Sequence, residues 1–162
     1  MASDTLRETV FHPRHAAAGA RFVPFGGWDM PVQFTGIRQE HLAVREDVGL
    51  FDVSHMGEVE ILGDDAVAAF DRLITNDLAG LADGKAIYTA MCTPEGGIVD
   101  DLIVYRLSPQ RVFVCVNASN RAKDFAWIVE HLEGATAHDR SDDYGQLALQ
   151  GRNAQALLDP LC

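Results

Sequence analysis

Alternation of apolar and polar side chains is clearest in the middle of the chain. Residues 58–62 (EVEIL) alternate as a half-buried strand does, and Gly63-Asp64 then opens a helix with Val67, Phe70 and Ile74 on one face. Residues 85–93 (KAIYTAMCT) read as a strand, PEGG as a tight turn and IVDDLIVYRL as the partner strand. SPQ makes another turn before a third strand at 111–117 (RVFVCVN). ASNRAKDFAWIVEHLE forms a second helix with Phe125, Ile128, Val129 and Leu132 turned inward, and Gly134 stops it. A short strand near 135–138 completes the set. Strand, helix, three hairpin-linked strands, helix, strand is a split βαβ order with one strand added. It predicts an α+β domain, an antiparallel sheet with two helices on one face.

The flanks are less regular. In ARFVPFGGWDMPVQF, Pro24, Gly26, Gly27 and Pro31 interrupt the aromatics, which predicts an irregular packed loop. A helix follows, with Thr35 at its N-cap and Ile37, His41, Val44 and Val48 recurring at helical spacing until Gly49. After Asp139 a polar stretch, DRSDDYG, leads to QLALQG and a last helix in RNAQALLDPL, as though another unit began there.

Length and composition narrow the class. The chain has 162 residues, 48% hydrophobic and 23% charged, enough for one globular domain with extra segments. Its 24 acidic against 13 basic residues leave a net charge of -11, which argues against nucleic acid and anionic membrane as partners. No stretch approaches the roughly 18 to 20 apolar residues of a membrane-spanning helix, and the N-terminal residues lack the features of a signal or transit peptide. Cys92, Cys115 and Cys162 are an odd count without CxxC spacing, which fits a reducing compartment. The chain reads as cytoplasmic.

The chemistry centres on the adjacent acids of GGIVDDLIVY. In a strand, Ile98, Asp100, Leu102 and Val104 share one face while Val99, Asp101, Ile103 and Tyr105 share the other. One acid therefore lies on the helix-covered side unless a bulge intervenes. Burying an ionised carboxylate costs several kcal/mol unless it is paired, hydrogen-bonded or protonated. Two readings follow: Asp100 caps the PEGG turn or pairs with an arginine while Asp101 faces water, or one of the two has a chemical task. Spacing leaves both open. Ser54 and His55 are neighbours that point apart on an extended chain with no third group to orient the imidazole, so a serine hydrolase is rejected. The six histidines show no HExxH or paired Cys/His spacing, so no metal site is expected. Neither a GxGxxG nor a P-loop pattern occurs.

Taken in order, FGGWDMPVQF, LFDVSHMGEVEI, LITNDL, GKAIYTAMCTPEGGIVDDLIVYR, VNASNRAKDFAWI and LALQG resemble the T-protein of the glycine cleavage system, the tetrahydrofolate-dependent aminomethyltransferase family. The resemblance runs from about Val10 to the last residues. It implies a ferredoxin-like unit at 51–138, inserted into a folate-binding first domain to which residues 1–50 and 139–162 contribute. Members of that family are considerably longer, so it implies an N-terminal portion of such a protein, with the first domain incomplete.

The resemblance also implies roles. Asp101 corresponds to the family's important acid, placed to hydrogen-bond N10 of tetrahydrofolate in a cofactor-sized hollow. Met56, Tyr88, Ile103, Tyr105, Val116 and Asn117 are implied to line the folate site with it. The implied reaction moves a methylene group from an aminomethyl-lipoyl arm to tetrahydrofolate with release of ammonia. The implied partner is the lipoylated H-type carrier protein. His55 belongs to the same motif; a structural hydrogen bond is the preferred expectation for it, with lining of the folate site as the open alternative. Three rivals keep parts of this picture: folate-binding proteins of iron-sulfur assembly, the folate domain of sarcosine- or dimethylglycine-type dehydrogenases, and a non-catalytic interaction module. SHM and DDLIVY favour the transferase.

Overall fold

In the computed structural model, which describes residues 5–162, the chain begins with α1 (His12–Ala17), β1 (Arg21–Phe25), β2 (Trp28–Gln33), α2 (Ile37–Glu46) and β3 (Val48–Asp52). Next come β4 (Gly57–Leu62), α3 (Ala66–Asp71), β5 (Lys85–Cys92), β6 (Ile98–Ser108) and β7 (Arg111–Val116). A single 3-10 turn (Ala118–Asn120) leads into α4 (Arg121–His131), which is followed by β8 (Thr136–Asp139), β9 (Leu147–Gly151) and α5 (Ala154–Leu158). These elements form two compact units: residues up to His55 together with Gly145–Cys162, and Met56–Tyr144. The boundaries thus fall after His55 and Tyr144, a few residues beyond the expected 51 and 138.

The second unit is the α+β domain. Its five strands run antiparallel in the order β5-β6-β7-β4-β8. Period two sorts their side chains: Val59, Ile61, Leu102, Val104, Val112, Val114 and Val116 point to one side, where Val67 and Phe70 of α3 and Ile128 of α4 close the core. Ile74, expected on the helix, lies beyond its end and bridges to Met91. Val129 is 53% exposed, not inward. The buried stripe of α4 runs through Asp124 and Ile128, with Phe125 and Leu132 beside it, so an aspartate holds a place that hydrophobicity alone would not assign.

A bulge starts β6. Met91 pairs with Asp100 but Cys92 pairs with Ile98, so Val99 is the extra residue. Ile98 consequently turns outward, 73% exposed, and does not share the face of Asp100 as strict alternation predicts. From Asp100 onward the alternation is regular: Asp100 is buried on the helix side and Asp101 is exposed on the other.

The first unit departs from its expected outline. FVPFGGWDMPV is a β-hairpin, not an irregular loop: β1 pairs antiparallel with β2, and Gly26 and Gly27, at φ 57° and 86°, make the two-residue turn. Both prolines are tolerated because the sheet has only two strands, each an edge. At the start of α2 the N-cap is Gly36, not Thr35, and neither supplies a capping side chain. Glu40 does so from inside the helix, its Oε1 accepting the backbone N–H groups of Phe34, Thr35 and Gly36 at 2.8, 2.7 and 2.9 Å. Those bonds hold its carboxyl below the usual range. Val48 belongs to β3, which pairs antiparallel with β9. LALQG is therefore a strand of this first unit.

Candidate functional site

The side of the five-stranded sheet that faces away from α3 and α4 collects the residues of interest. Cross-strand register puts Tyr88, Ile103, Cys115 and Glu58 in one row, and Ala86, Tyr105, Phe113 and Glu60 in the next. Asp101 lies opposite Ala90 in the row on the other side. Tyr88 is 66% exposed, Ile103 is half-buried, and Tyr105 packs edge-on against Phe113 with ring centres 6.2 Å apart. Burial, then the neighbouring Cys115, push the Tyr105 phenol up from its ordinary value.

Asp101 is tied down at both ends. Its Oδ2 accepts the Tyr88 hydroxyl, and that bond, followed by the charge of Asp101, raises the Tyr88 pKa so that the phenol keeps its proton. The Asn117 side-chain amide, just past the end of β7, donates from Nδ2 to the Asp101 carbonyl at 3.0 Å and to its Oδ1 at 3.2 Å. The same nitrogen is 3.2 Å from Asp100 Oδ1, so one amide bridges the two acids. No arginine is paired with Asp101 among the described residues, and the carboxylate is exposed on an open sheet face, not set in the cofactor-sized hollow that the resemblance implied.

Asp100 answers the question of how a charge survives under the sheet. Burial pushes its pKa up, but hydrogen bonds with Asp124, Asn120 and Asn117 outweigh that effect and leave it below the ordinary carboxylate range. Asn120 Nδ2 is 3.0 Å from Asp100 Oδ2. Asp124 is 0% exposed, and burial followed by its bond and repulsion with Asp100 push it up to about 7. Neither of the sequence's open readings described this arrangement: Asp100 pairs with amides and a second acid, and not with an arginine.

Asp101, Tyr88, Ile103, Tyr105 and Asn117 thus share one face of one sheet. Val116 is a correction. It is 1% exposed and sits in the core, because neighbours on a strand point to opposite faces and Asn117 takes the other one. Met56 is half-buried in the bend before β4. Asn120 and Asp124 were missed, although VNASNRAKD carries a signal: positions 117, 120 and 124 recur at roughly helical spacing with three polar side chains, the last on an apolar stripe. A third buried acid, Glu58, is 2% exposed beneath the 140–144 segment, where Ser141 Oγ receives the Glu58 N–H at 3.0 Å. Burial pushes its pKa up to about 7, against the pull of Arg121 and with a push from Asp139 and Asp142.

In the first unit, the SHM motif is structural in its serine. Ser54 Oγ donates to the Gln146 carbonyl at 3.2 Å and accepts the Gln146 N–H at 3.0 Å, closing the β3/β9 pair. His55 is not the hydrogen-bonder that was expected. Its ring meets Phe25 edge-on at 5.6 Å, its Nδ1 has no hydrogen-bond partner among the described residues, and burial holds its pKa down against the pull of Asp52. Asp52 instead accepts Thr9 Oγ1 at 2.6 Å, His15 Nε2 at 2.9 Å and the Ser54 N–H at 3.0 Å. It borders a cleft of about 630 Å³ lined mainly by apolar residues of β2, α2 and β3. None of the site residues named from the sequence lines that cleft. No group of three His, Cys, Asp or Glu that could hold a metal occurs among the described residues, and none of their helices is long and apolar enough to cross a membrane.

An antiparallel sheet backed by two helices, with an acid, a phenol and an amide joined on the face turned away from them, makes a ferredoxin-like unit. Known proteins make the class specific. The chain belongs to the family described as the GCVT N-terminal domain, whose model matches residues 11–162. It is 50% identical over 157 residues to an aminomethyltransferase of Listeria monocytogenes, covering 96% of this chain and 43% of that protein. An aminomethyltransferase of Desulfitobacterium hafniense is 49% identical over 158 residues, with the same coverage, 96% and 43%. The crystal structure of glycine cleavage system aminomethyltransferase T from Bartonella henselae matches with a TM-score of 0.90 at 34% identity, over 96% of this chain and 44% of that one. The chain therefore spans less than half the length of the relatives it matches.

Proposed function

We propose that this chain contributes the folate-facing acid of a tetrahydrofolate-dependent aminomethyltransferase of the glycine cleavage type. One observation carries the reading: Asp101 presents its carboxylate from an open sheet face, held by Tyr88 and Asn117 and beside the exposed ring of Tyr88. Family membership and relatives named aminomethyltransferase support it. A reduced pterin offers what this surface fits, a flat heteroaromatic ring for Tyr88 and Ile103 and amine N–H groups for a carboxylate.

Tetrahydrofolate supplies two amine nitrogens that together take up a one-carbon unit as methylene. The chain's own residues do the rest of what is proposed here. Asp101 accepts a hydrogen bond from the attacking amine, orients its lone pair and receives its proton as the new carbon–nitrogen bond forms. Its negative charge favours the positive iminium character that develops at that carbon. Tyr88 and Asn117 fix the carboxylate's rotamer, so little reorganisation remains for the reaction step. The donor is an aminomethyl group on the lipoyl arm of an H-type carrier protein, and ammonia leaves.

The test is Asp101→Asn in a protein of the relatives' full length that carries this domain, assayed for methylene formation with the aminomethylated lipoyl carrier. Turnover falls by on the order of a hundredfold or more while tetrahydrofolate affinity changes far less. Turnover close to the unsubstituted protein's would remove Asp101 from this role.

A further inference from the structure

The network beneath Asp101 extends past the residues that the proposed reaction requires. Asp124 lies on α4 with its side chain wholly buried, and neither carboxyl oxygen has a hydrogen bond of ordinary geometry among the described residues. Its carboxyl faces that of Asp100 on β6. The charged groups acting on it are Asp100 and, from its own helix, Lys123, whose Nζ stands 3.4 Å from Oδ1 and also donates to the Val99 carbonyl at 2.5 Å. Half of the Lys123 side chain is in solvent, which weakens its pull.

Two carboxylates in contact and shielded from water do not both ionise, so one proton stays with the pair. The surroundings decide its place. Asp100 already accepts the amides of Asn117 and Asn120, which favour charge on it, whereas Asp124 has no amide donor and only the half-exposed Lys123 ammonium beside it, whose pull burial outweighs. The proton therefore resides on Asp124.

We propose that Asp124 is a positioning residue: as a neutral acid under the sheet it keeps Asp100 charged, and Asp100 in turn holds the Asn117 amide against Asp101. The role in transfer rests on the reading of Asp101 as the folate-facing acid, but the internal arrangement does not. Burial and the neighbouring Asp100 bring the Asp124 pKa to about 7, so its proton leaves within the physiological range. Two charges then share the space beneath β6, and repulsion between them displaces Asp100 and with it the Asn117 amide that Asp100 holds.

The full 162-residue chain, free of ligand, tests this by NMR between about pH 5.5 and about pH 8.5. The Asp124 carboxyl carbon titrates with a midpoint near 7, and the side-chain NH₂ signals of Asn117 and Asn120 move with the same midpoint. In Asp124→Asn, neutral at every pH, the amide movement disappears. An Asp124 midpoint in the ordinary range near 4, or amide titration unchanged in Asp124→Asn, would overturn the proposal. With tetrahydrofolate added, affinity falls about fivefold or more across the same range in the unsubstituted chain and stays level in Asp124→Asn. A normal amide titration with no tetrahydrofolate binding at any pH would overturn the folate reading and leave the Asp124 arrangement standing.

Discussion

Asn117 grips Asp101 twice, its Nδ2 lying 3.0 Å from the Asp101 carbonyl and 3.2 Å from the carboxylate. The contact links the end of β7 to the middle of β6 and fixes a side chain that would otherwise turn freely on an exposed face. On the proposed reading, the face that carries Asp101 serves chemistry and the face turned to α3 and α4 serves stability.

Tyr88 and Val116 test that separation. Tyr88→Phe removes a hydroxyl from an exposed ring, so stability changes by less than about 0.5 kcal/mol. Tetrahydrofolate affinity drops by about 1 kcal/mol, the usual worth of one hydrogen bond, because the Asp101 rotamer is no longer held. Val116→Ala does the reverse: a core cavity costs about 1 to 3 kcal/mol of stability with affinity unaffected. Urea unfolding and calorimetry on the same preparations read both quantities.

The pH dependence of stability should be shifted to the acid side. Asp124 and Glu58 each have a folded-state pKa of about 7, against ordinary values of 3.8 and 4.5. Between those limits the folded chain holds protons that the unfolded chain releases. Stability is therefore greatest below about pH 4 for these two groups and falls as pH rises to 7, by about 1.4 kcal/mol per pH unit per group at most. Asp52 and Asp100 act in the opposite sense: their folded pKa values are depressed, so their contribution is lost as pH drops below the ordinary carboxylate range. His55, its pKa held down by burial, adds a contribution that is lost as pH falls below its ordinary 6.5, but the larger shifts of Asp124 and Glu58 dominate, so stability declines from about pH 4 to 5 upward. Denaturation series at about pH 4.5, 6 and 7.5 check it, and Glu58→Gln flattens the decline; stability that rises across this range would contradict the assignment.

Gly27 should resist substitution. Its φ of 86° closes the β1/β2 hairpin, and although a Cβ there meets no atom within 4 Å, the conformation itself disfavours one. Gly27→Ala therefore costs about 1 kcal/mol, whereas Ala17→Gly at the end of α1 costs less. Thermal melts of the two variants give the ordering.

The two units were unequally legible. In the second, EVEIL, KAIYTAMCT, IVDDLIVYRL and RVFVCV follow period two and the hairpin-linked β5, β6 and β7 are neighbours in space, but the insertion of β4 between β7 and β8 is a long-range pairing that the local pattern does not give. In the first, β3 and β9 pair across almost a hundred residues, a relation that no local pattern encodes, and two prolines disguised a hairpin whose Gly-Gly turn was in plain sight. The site shows the same division. Alternation separates Asp100 from Asp101 but does not say which faces the helices; the bulge at Val99 reverses the expectation for Ile98. Asp124 was hidden because helical spacing ranks positions by hydrophobicity, and a buried aspartate whose neighbouring acid comes from another element leaves no mark on that ranking.

The central claim is that the Asp101 face, and not the cleft of the first unit, receives a reduced pterin. An NMR titration of this chain with tetrahydrofolate tests it most directly. The account predicts saturable shifts at Tyr88, Asp101, Ile103 and Asn117, with Val114 and Val116 on the opposite side of the sheet nearly still. Shifts confined to His15, Phe34 and Asp52 around the cleft, or none at any concentration, would contradict it.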